Sequence, residues 1–550
     1  MPRFAALDVG SNAFRLRIVE AHAPAAEREQ LSLLPDTASP WREVLSLRAP
    51  VRLGSEVFVS GRLASSSVGQ ACAALREFRQ AMDDAKVDVY RATATSAVRE
   101  ASNKATFVER ARREAGIELE VIEGIEEARL IQLAVARRLG LADRRALLVD
   151  VGGGSTELTY LDRGASVWAI SLPIGTVRLI ELYLRTPSAM DRARQKLLLE
   201  GIDRTLAEAV PTLKKLPFEI VVGTGGNVDT LSELCPVKGG HAGYPRAVDV
   251  GQMKALLAKL FSLTPEQRRE AFGLRPDRAD TIVPAASIFL RVSELFKAAA
   301  IVAPGVGLKE GILEELVDKY FDRWDAESEA RSVLEGCIRL GKRYGFDQAH
   351  GEIVASLAAS LYDDMRAHHG FGERERLLLR AAALLHDIGD YVSYGGHHKH
   401  SYYLIQHSDI MGLTPVERAI VANIARYHRK SGPDPSHPNF RDLDKESRAK
   451  VRGLAAILRI ADALDREHLG KVKSVRAKID AKARRLTLAV TGDEDRELEE
   501  WTVRAKAELL RDVFDLDVAI AGSSQSTRPP SRDEVAPASR RGRSEGSLPR

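Results

Sequence analysis

The chain has 550 residues, 44% of them hydrophobic and 29% charged, the balance of a soluble globular protein rather than a fibrous or membrane-spanning one. Its start, MPRFAALDVG, has no basic segment before a long apolar stretch and is interrupted early by Asp8, so neither a signal peptide nor a transmembrane run is expected. Three widely spaced cysteines, Cys72, Cys235 and Cys337, argue against a disulfide framework and fit a cytoplasmic setting, while the net charge of +4 sits mostly in the tail and leaves a body without the charge of a specific nucleic-acid binder.

In chain order, FAALDVG and AFRLRIVEA read as two strands joined through Gly10, Ser11 and Asn12. Residues 23–41, with three prolines, read as a loop. A helix from about Ser66 to Ala85 leads into the strand VDVYRATAT. Another helix begins near Ser96, IELEVI is a strand, and a long helix runs from about Ile125 to Leu139. LLVDVGGGSTELTYLD supplies a second strand, turn and strand. VVGTGGNVDTLSEL is an apolar strand, a third glycine turn at Gly225 and Gly226, and a helix opening around Asn227. Helices dominate after Glu310. FDRWDAESEARS reads as a charged connector, a helical domain follows to about Gly470, and KVKSVRAKIDAKARRLTLAV plus a helix reads as a small α/β piece reaching Ile520. The tail from Ala521 carries six arginines against three acids and is rich in Ser, Pro and Gly. It cannot bury a core and is expected to be disordered.

ALDVGSNAFRL and LVDVGGGSTEL align on Asp-Val-Gly, Asp8 with Asp150 and Gly10 with Gly152, which predicts two similar domains facing each other. Glycine turns bring backbone N–H groups within reach of an anion, and Ser and Thr add hydroxyl donors, so a phosphate or polyphosphate is the natural occupant. Asp150 repels a phosphate unless a divalent cation lies between them. Neither GxxxxGK[ST] nor GxGxxG occurs, so P-loop and Rossmann readings are unsupported.

The two-lobed pattern resembles the sugar kinase/actin/Hsp70 superfamily, with ribonuclease H-like domains. ALDVGSNAFRL, RATATSAVREASN, EVIEGIEEARLI, LLVDVGGGSTEL, SLPIGTVRL, VVGTGGNVDTL and GVGLKEGIL, spanning residues 4–314, look like the exopolyphosphatase/guanosine pentaphosphate phosphohydrolase family. LLHDIGDYVSYGGHHKHSYYLIQHSDIMGLTPVERAIVANIARYHRK resembles the C-terminal domain of long exopolyphosphatases, itself similar to HD-type metal phosphohydrolases. The implied fold class is α/β: actin-like lobes at 1–130 and 131–318, an all-α HD-type domain at 325–470, an α/β segment at 471–520 and the tail at 521–550. A homodimer is expected.

The resemblance implies hydrolysis of a terminal phosphoanhydride. It puts the general base on Glu127; spacing alone does not separate Glu127 from Glu126. Asp150 resembles the family's magnesium-binding acid. Gly152, Gly153, Gly154, Ser155 and Thr156, with Ser11 and Asn12, would cradle the terminal phosphates. Glu157 lies two past Ser155, on the same side of its strand, and is expected to hold metal or water. Arg99 resembles the arginine clamping the terminal phosphate, with Arg15 either doing the same from the first hairpin or forming a surface salt bridge.

In the helical half, His350, the adjacent pair His386-Asp387 in the apolar helix RAAALLHDIGD, and Asp462 follow the HD-type order and suit a further divalent metal; a metal-free, hydrogen-bonded remnant is the alternative. His400 and His428 are candidates for a second metal or a phosphate contact. Arg426, His428, Arg429 and Lys430 form RYHRK, read as a channel contact for a distal polymer or as a solvated helix end. The leading activity is magnesium-dependent release of orthophosphate from inorganic polyphosphate. The closest rival is guanosine pentaphosphate hydrolysis; an actin-like ATPase or kinase and a non-catalytic sensor are weaker readings. With few aromatics and none in the glycine turns, the sequence offers no obvious slot for a base.

Overall fold

The computed structural model describes residues 1–21, 41–185, 188–321, 326–493 and 495–521. Residues 22–40 and the tail beyond Ala521, read above as loop and disorder, lie outside them. The chain divides into two compact units, Met1–Ala326 and Glu327–Arg550.

The first unit is built on two mixed sheets. In one, β1 (Arg3–Val9), β2 (Phe14–Ala21) and β3 (Trp41–Ala49) form an antiparallel meander, and β4 (Val89–Ala94) and β5 (Leu119–Val121) extend it parallel to β1. In the other, β6 (Arg145–Val151), β7 (Thr156–Asp162) and β8 (Ala165–Leu172) form the meander. There β9 (Ile220–Thr224) runs parallel to β6, and β10 (Ala247–Asp249) and β11 (Ala300–Val302) complete the far side. The orders are β3-β2-β1-β4-β5 and β10-β11-β9-β6-β7-β8. A meander followed by parallel strands thus occurs twice, as in actin-like folds. β1 and β6 are nearly continuous buried runs because helices cover both faces of a parallel sheet centre. β3 was not legible in the sequence: WREVLSLRA has no buried residue and lies on an edge.

Helices Gly124–Leu139 and Leu308–Tyr320 knit the sheets together. Leu130, Ile131, Ile312 and Leu313 share one core cluster with Phe4 and Val19 of the first sheet and Leu148 and Val222 of the second. The lobe boundary expected at 130/131 therefore falls inside a continuous helix, and the helix expected to close the second lobe packs against β1.

The second unit is a helical bundle. Its core includes Leu357 from Gln348–Asp364, Leu378 and Leu385 from Glu373–Leu385, Val421 from Pro415–Arg426, and Leu454 from Lys445–Ala463. A small sheet of β12 (Val472–Asp480), β13 (Arg485–Gly492) and β14 (Asp517–Ile520) follows. The stretch read as a connector is helical from Ala326. The pair His386-Asp387, expected inside a helix, sits just beyond the end of Glu373–Leu385, before a 3-10 turn at Ile388–Tyr391. Among the described residues, no helix is long and apolar enough to cross a membrane.

Candidate functional site

In the first unit, the turns of the two related hairpins interlock. A Cβ on Gly153 would lie 2.9 Å from the Cβ of Ser11, and one on Gly154 would enter the Phe58 ring and the Ser96 hydroxyl. At these two glycines the opposite lobe excludes side chains, while of the turn expected to cradle phosphate Gly152, Gly153 and Ser155 line the cleft. Gly154 and Thr156 do not line the cleft formed there. Thr156 is fully buried and its hydroxyl donates to the Ile174 carbonyl at 2.6 Å.

The cleft, of about 290 Å³, is lined by Ser11, Asn12, Gly152, Gly153, Ser155, Gly225 and Gly226, together with Asp8, Arg15, Glu127, Asp150, Asn227, Arg278 and Lys309. Gly225 has φ +92°, and a Cβ there would meet the Val151 carbonyl at 2.9 Å, so a glycine is required to start the helix Gly226–Leu234 at that wall. Helices Thr176–Tyr183 and Leu308–Tyr320 also begin at the cleft. Three helix N-termini then direct partial positive charge into one space, an arrangement suited to an anion.

Against that positive ring stands a group of buried acids. Glu127, Asp150 and Glu157 offer oxygens within 4.8 Å of one another. Asp150 accepts a hydrogen bond from the Thr224 hydroxyl at 2.5 Å, and Glu157 Oε1 accepts one from Ser171 at 2.7 Å. Glu127 Oε2 and Glu157 Oε2 are buried without a hydrogen bond. Burial, then the neighbouring acids, pushes Glu127 well above its ordinary value; burial raises Asp150 to about 6 and, with Asp150 beside it, Glu157 to about 7. Burial favours the protonated form of these acids, and a cation is the alternative partner for their charge; the donor set, all oxygen, fits a hard divalent cation.

The structure separates the two adjacent glutamates. Glu126 turns away from the cleft to Arg129 and Arg91, with Arg129 Nε donating to Glu126 Oε2 at 2.7 Å. Burial would raise its pKa, but these arginines outweigh it and hold the group below its ordinary value. Glu127 has Arg99 beside it, with Nη1 3.8 Å from Oε2; Arg99 also donates to the Ile122 carbonyl at 2.7 Å. Arg15 lines the cleft and pairs with Asp8 at 3.0 Å.

Sequence reading missed Arg278. It is half-buried in the cleft wall and makes no side-chain hydrogen bond or ion pair among the described residues. Burial, then Arg15 and the nearby Arg275 and Arg48, outweighs the opposing pull of Asp277 and brings its guanidinium down to about 10. Its signal was present in GLRPDRAD, but nothing in one dimension links that segment to the glycine turns.

In the second unit, His350, His386, Asp387 and Asp462 do come together, with His350 Nε2 3.2 Å from His386 Nε2 and 3.8 Å from Asp462 Oδ1. His428 is buried and faces Asp387 and His397, so it belongs to this cluster and not with the solvent-facing cations of RYHRK. His397 and His468, not His400, are the further imidazoles of the group. Arg429 reaches His397, while Lys430 has φ +58° and its carbonyl accepts from Arg459.

Residues 37–320 match the Ppx/GppA phosphatase family, and residues 334–507 match domain III of that family. The guanosine-5'-triphosphate,3'-diphosphate pyrophosphatase of Vibrio parahaemolyticus is 26% identical over 430 residues, 78% of this chain and 81% of that protein. The protein of the same name from Photobacterium profundum is 25% identical over 464 residues, 84% and 85% of the two chains. An exopolyphosphatase crystal structure from Cytophaga hutchinsonii superimposes with a TM-score of 0.50 at 25% identity, covering 58% of this chain and 98% of that one. With these two matches together covering most of the chain, the chain belongs to the Ppx/GppA phosphatase family, hydrolases of phosphoanhydride bonds.

Proposed function

We propose that the cleft hydrolyses the terminal phosphoanhydride of inorganic polyphosphate, releasing orthophosphate. The observation that carries this is Arg278, a half-buried guanidinium in the cleft wall that makes no side-chain hydrogen bond or ion pair among the described residues and has Arg15, Arg275 and Arg48 as well as the acids Asp277 and Asp229 near it. Such a group is stabilised by an anion, and a phosphate chain presents about one charge per unit along its length.

The proposed roles follow from placement. The three helix N-termini and the Ser11 and Ser155 turns hold the terminal phosphate oxygens, and Arg278 and Arg15 hold the next ones along. Glu127, which lines the cleft and whose buried Oε2 has no hydrogen bond, accepts the proton of the attacking water, a task for a carboxyl whose pKa burial and the neighbouring acids raise. Arg99 keeps Glu127 oriented. Asp150 and Glu157 are proposed to hold Mg²⁺, which when bound neutralises phosphate charge and lowers the pKa of its water.

A second reading, guanosine pentaphosphate, is favoured by the names of the relatives and by one feature of the structure. A cavity of about 370 Å³ shares Gly226, Asp229 and Arg278 with the cleft and is lined by Leu234, Phe272 and Leu274. It supplies the apolar wall that the sequence did not reveal, with Asp229 and Glu233 as acceptors for a guanine N–H edge. Orthophosphate release from defined polyphosphate, guanosine pentaphosphate and ATP under matched conditions tests both. A higher kcat/KM on polyphosphate supports the first reading, a higher value on pentaphosphate establishes the second, and turnover of ATP alone removes both.

A further inference from the structure

We propose that two ion pairs, Arg48–Asp277 and Arg52–Asp280, form a clasp between the two sheets of the first unit and position Arg278 against the Asn12 turn; this rests on the reading of Arg278 as a ligand for the phosphates beyond the terminal one. Arg48 lies near the end of β3, and Arg52 lies just before the helix Gly54–Ser60. Asp277 and Asp280 lie at the start of the helix Pro276–Phe296, whose Ala279, Ile282 and Val283 share a core with Val149 and Val221 of the second sheet. Arg48 Nη2 donates to Asp277 Oδ2 at 2.9 Å, and Arg52 Nη2 donates to Asp280 Oδ2 at 3.2 Å. Both bonds therefore cross from one sheet to the other.

Arg278 follows Asp277 directly and precedes Asp280 by two positions. Its guanidinium lies against the third glycine turn: a Cβ on Gly226 would come within 2.0 Å of Arg278 Nη2. The next turn of the same helix reaches the cleft wall through Thr281, whose hydroxyl is 3.1 Å from Asn227 Oδ1. The segment carrying Arg278 is thus held on its own side by Gly226 and Asn227 and from the opposite side by the two ion pairs. Arg52 supplies a further link, because its Nε donates to Asn12 Oδ1 at 2.9 Å. One guanidinium fork spans Asn12, which lines the cleft from the first sheet, and Asp280, beside Arg278 on the second. None of the four clasp residues lines the cleft, so they act through Asn12 and Arg278.

Charge accounts for the acids at 277 and 280. Arg48 has Arg15, Arg275 and Arg52 near it, and Arg278 has Arg15, Arg275 and Arg48. Guanidinium groups gathered in this way repel and would drive the two sheets apart. Asp277 and Asp280 offset that repulsion from a helix start, where the dipole favours carboxylates. All four side chains are partly exposed, so the pairs contribute little to overall stability. Their effect is on geometry. An anion reaching from the Asn12 turn to Arg278 meets both partners already at a fixed separation, and less of its binding energy is spent on ordering them.

The test uses the full chain and polyphosphate of defined length, with kcat and KM read from orthophosphate release. Asp277→Ala combined with Asp280→Ala opens the clasp from one side, and Arg48→Gln combined with Arg52→Gln opens it from the other. Each combination should raise KM by about three- to tenfold, the size that two partly exposed ion pairs supply, with kcat changed by no more than about twofold. In an Arg278→Ala background, which itself raises KM, the Asp277→Ala and Asp280→Ala combination should add less than about twofold, because the group it positions is gone. Thermal melts identify a combination that does not fold; the other then decides, and Asp280→Asn alone, at the most exposed of the four acids and arginines, decides if both fail. An unchanged KM in folded clasp variants, or the same factor with and without Arg278, would overturn the clasp while leaving Arg278 as a phosphate ligand. A wild-type KM for Arg278→Ala would overturn that reading and the clasp with it.

Discussion

Asp150 faces Glu157 across the β6–β7 hairpin in the same register in which Asp8 faces Arg15 across β1–β2. One duplicated geometry thus carries two different charges. In the first hairpin the acid is neutralised by its cross-strand arginine at 3.0 Å. In the second, two acids face each other with Glu127 beside them, and burial lifts all three. Carboxylate groups without a cationic cross-strand partner are therefore concentrated on one of the two hairpins, next to the turn that meets Ser11.

That asymmetry makes Asp150 the residue to test for metal dependence. Asp150→Asn keeps an acceptor for the Thr224 hydroxyl but removes the charge. Activity should fall and the Mg²⁺ concentration for half-maximal rate should rise at least tenfold, read by titrating Mg²⁺ in an orthophosphate-release assay. An unchanged Mg²⁺ midpoint would detach Asp150 from the metal.

Glu127→Gln removes the proposed proton acceptor while preserving size. Loss of a general base should lower kcat by on the order of 10²–10⁴ with a small change in KM. Glu126→Gln should behave oppositely: it breaks a buried pairing with Arg129 and Arg91 and should cost about 3 kcal/mol of stability while leaving kcat of the folded protein near normal. Denaturant melts and steady-state kinetics on both variants separate the roles.

Arg278→Ala should raise KM for long polyphosphate at least tenfold, with a smaller effect on kcat. It should also flatten the decline of kcat/KM with salt, by about one unit in the logarithmic slope if one phosphate contact is lost, by analogy with nucleic-acid backbones. A variant with wild-type salt dependence would place the polymer elsewhere.

Glu315 links the helices that join the two sheets. It pairs with Arg91, Arg129 and Lys319. Burial would raise its pKa, but these cations outweigh burial and bring it from 4.5 to about 2. A depressed folded-state value means that the stability it contributes is complete above pH 4.5 and is lost as pH falls through about 2. Glu315→Gln should therefore destabilise the first unit by about 3–5 kcal/mol at pH 7, with the gap to wild type narrowing as pH drops from 4.5 toward 2. Urea midpoints measured across that range check it; a gap independent of pH would show that the loss is one of packing alone.

The sequence by itself determined the duplicated Asp-x-Gly hairpins, the position of the glycine turns after their strands and the α/β class of the first half. These are local: an apolar run, a turn residue and an acid at fixed spacing are written within a dozen positions. Through the resemblance of their order to the HD-type pattern, it also grouped His350, His386, Asp387 and Asp462, which the structure brings together. Only the tertiary structure decided between Glu126 and Glu127, because adjacent residues at a helix start point in different directions and their partners, Arg91 and Glu157, lie far along the chain. Only it showed that Gly153 and Gly154 are small to admit Ser11 and Phe58, that Arg278 reaches the cleft, and that His397 and His428 join the histidines. Each of these depends on the approach of side chains from distant segments, and that approach is set by packing of the shared core rather than by any pattern along the chain.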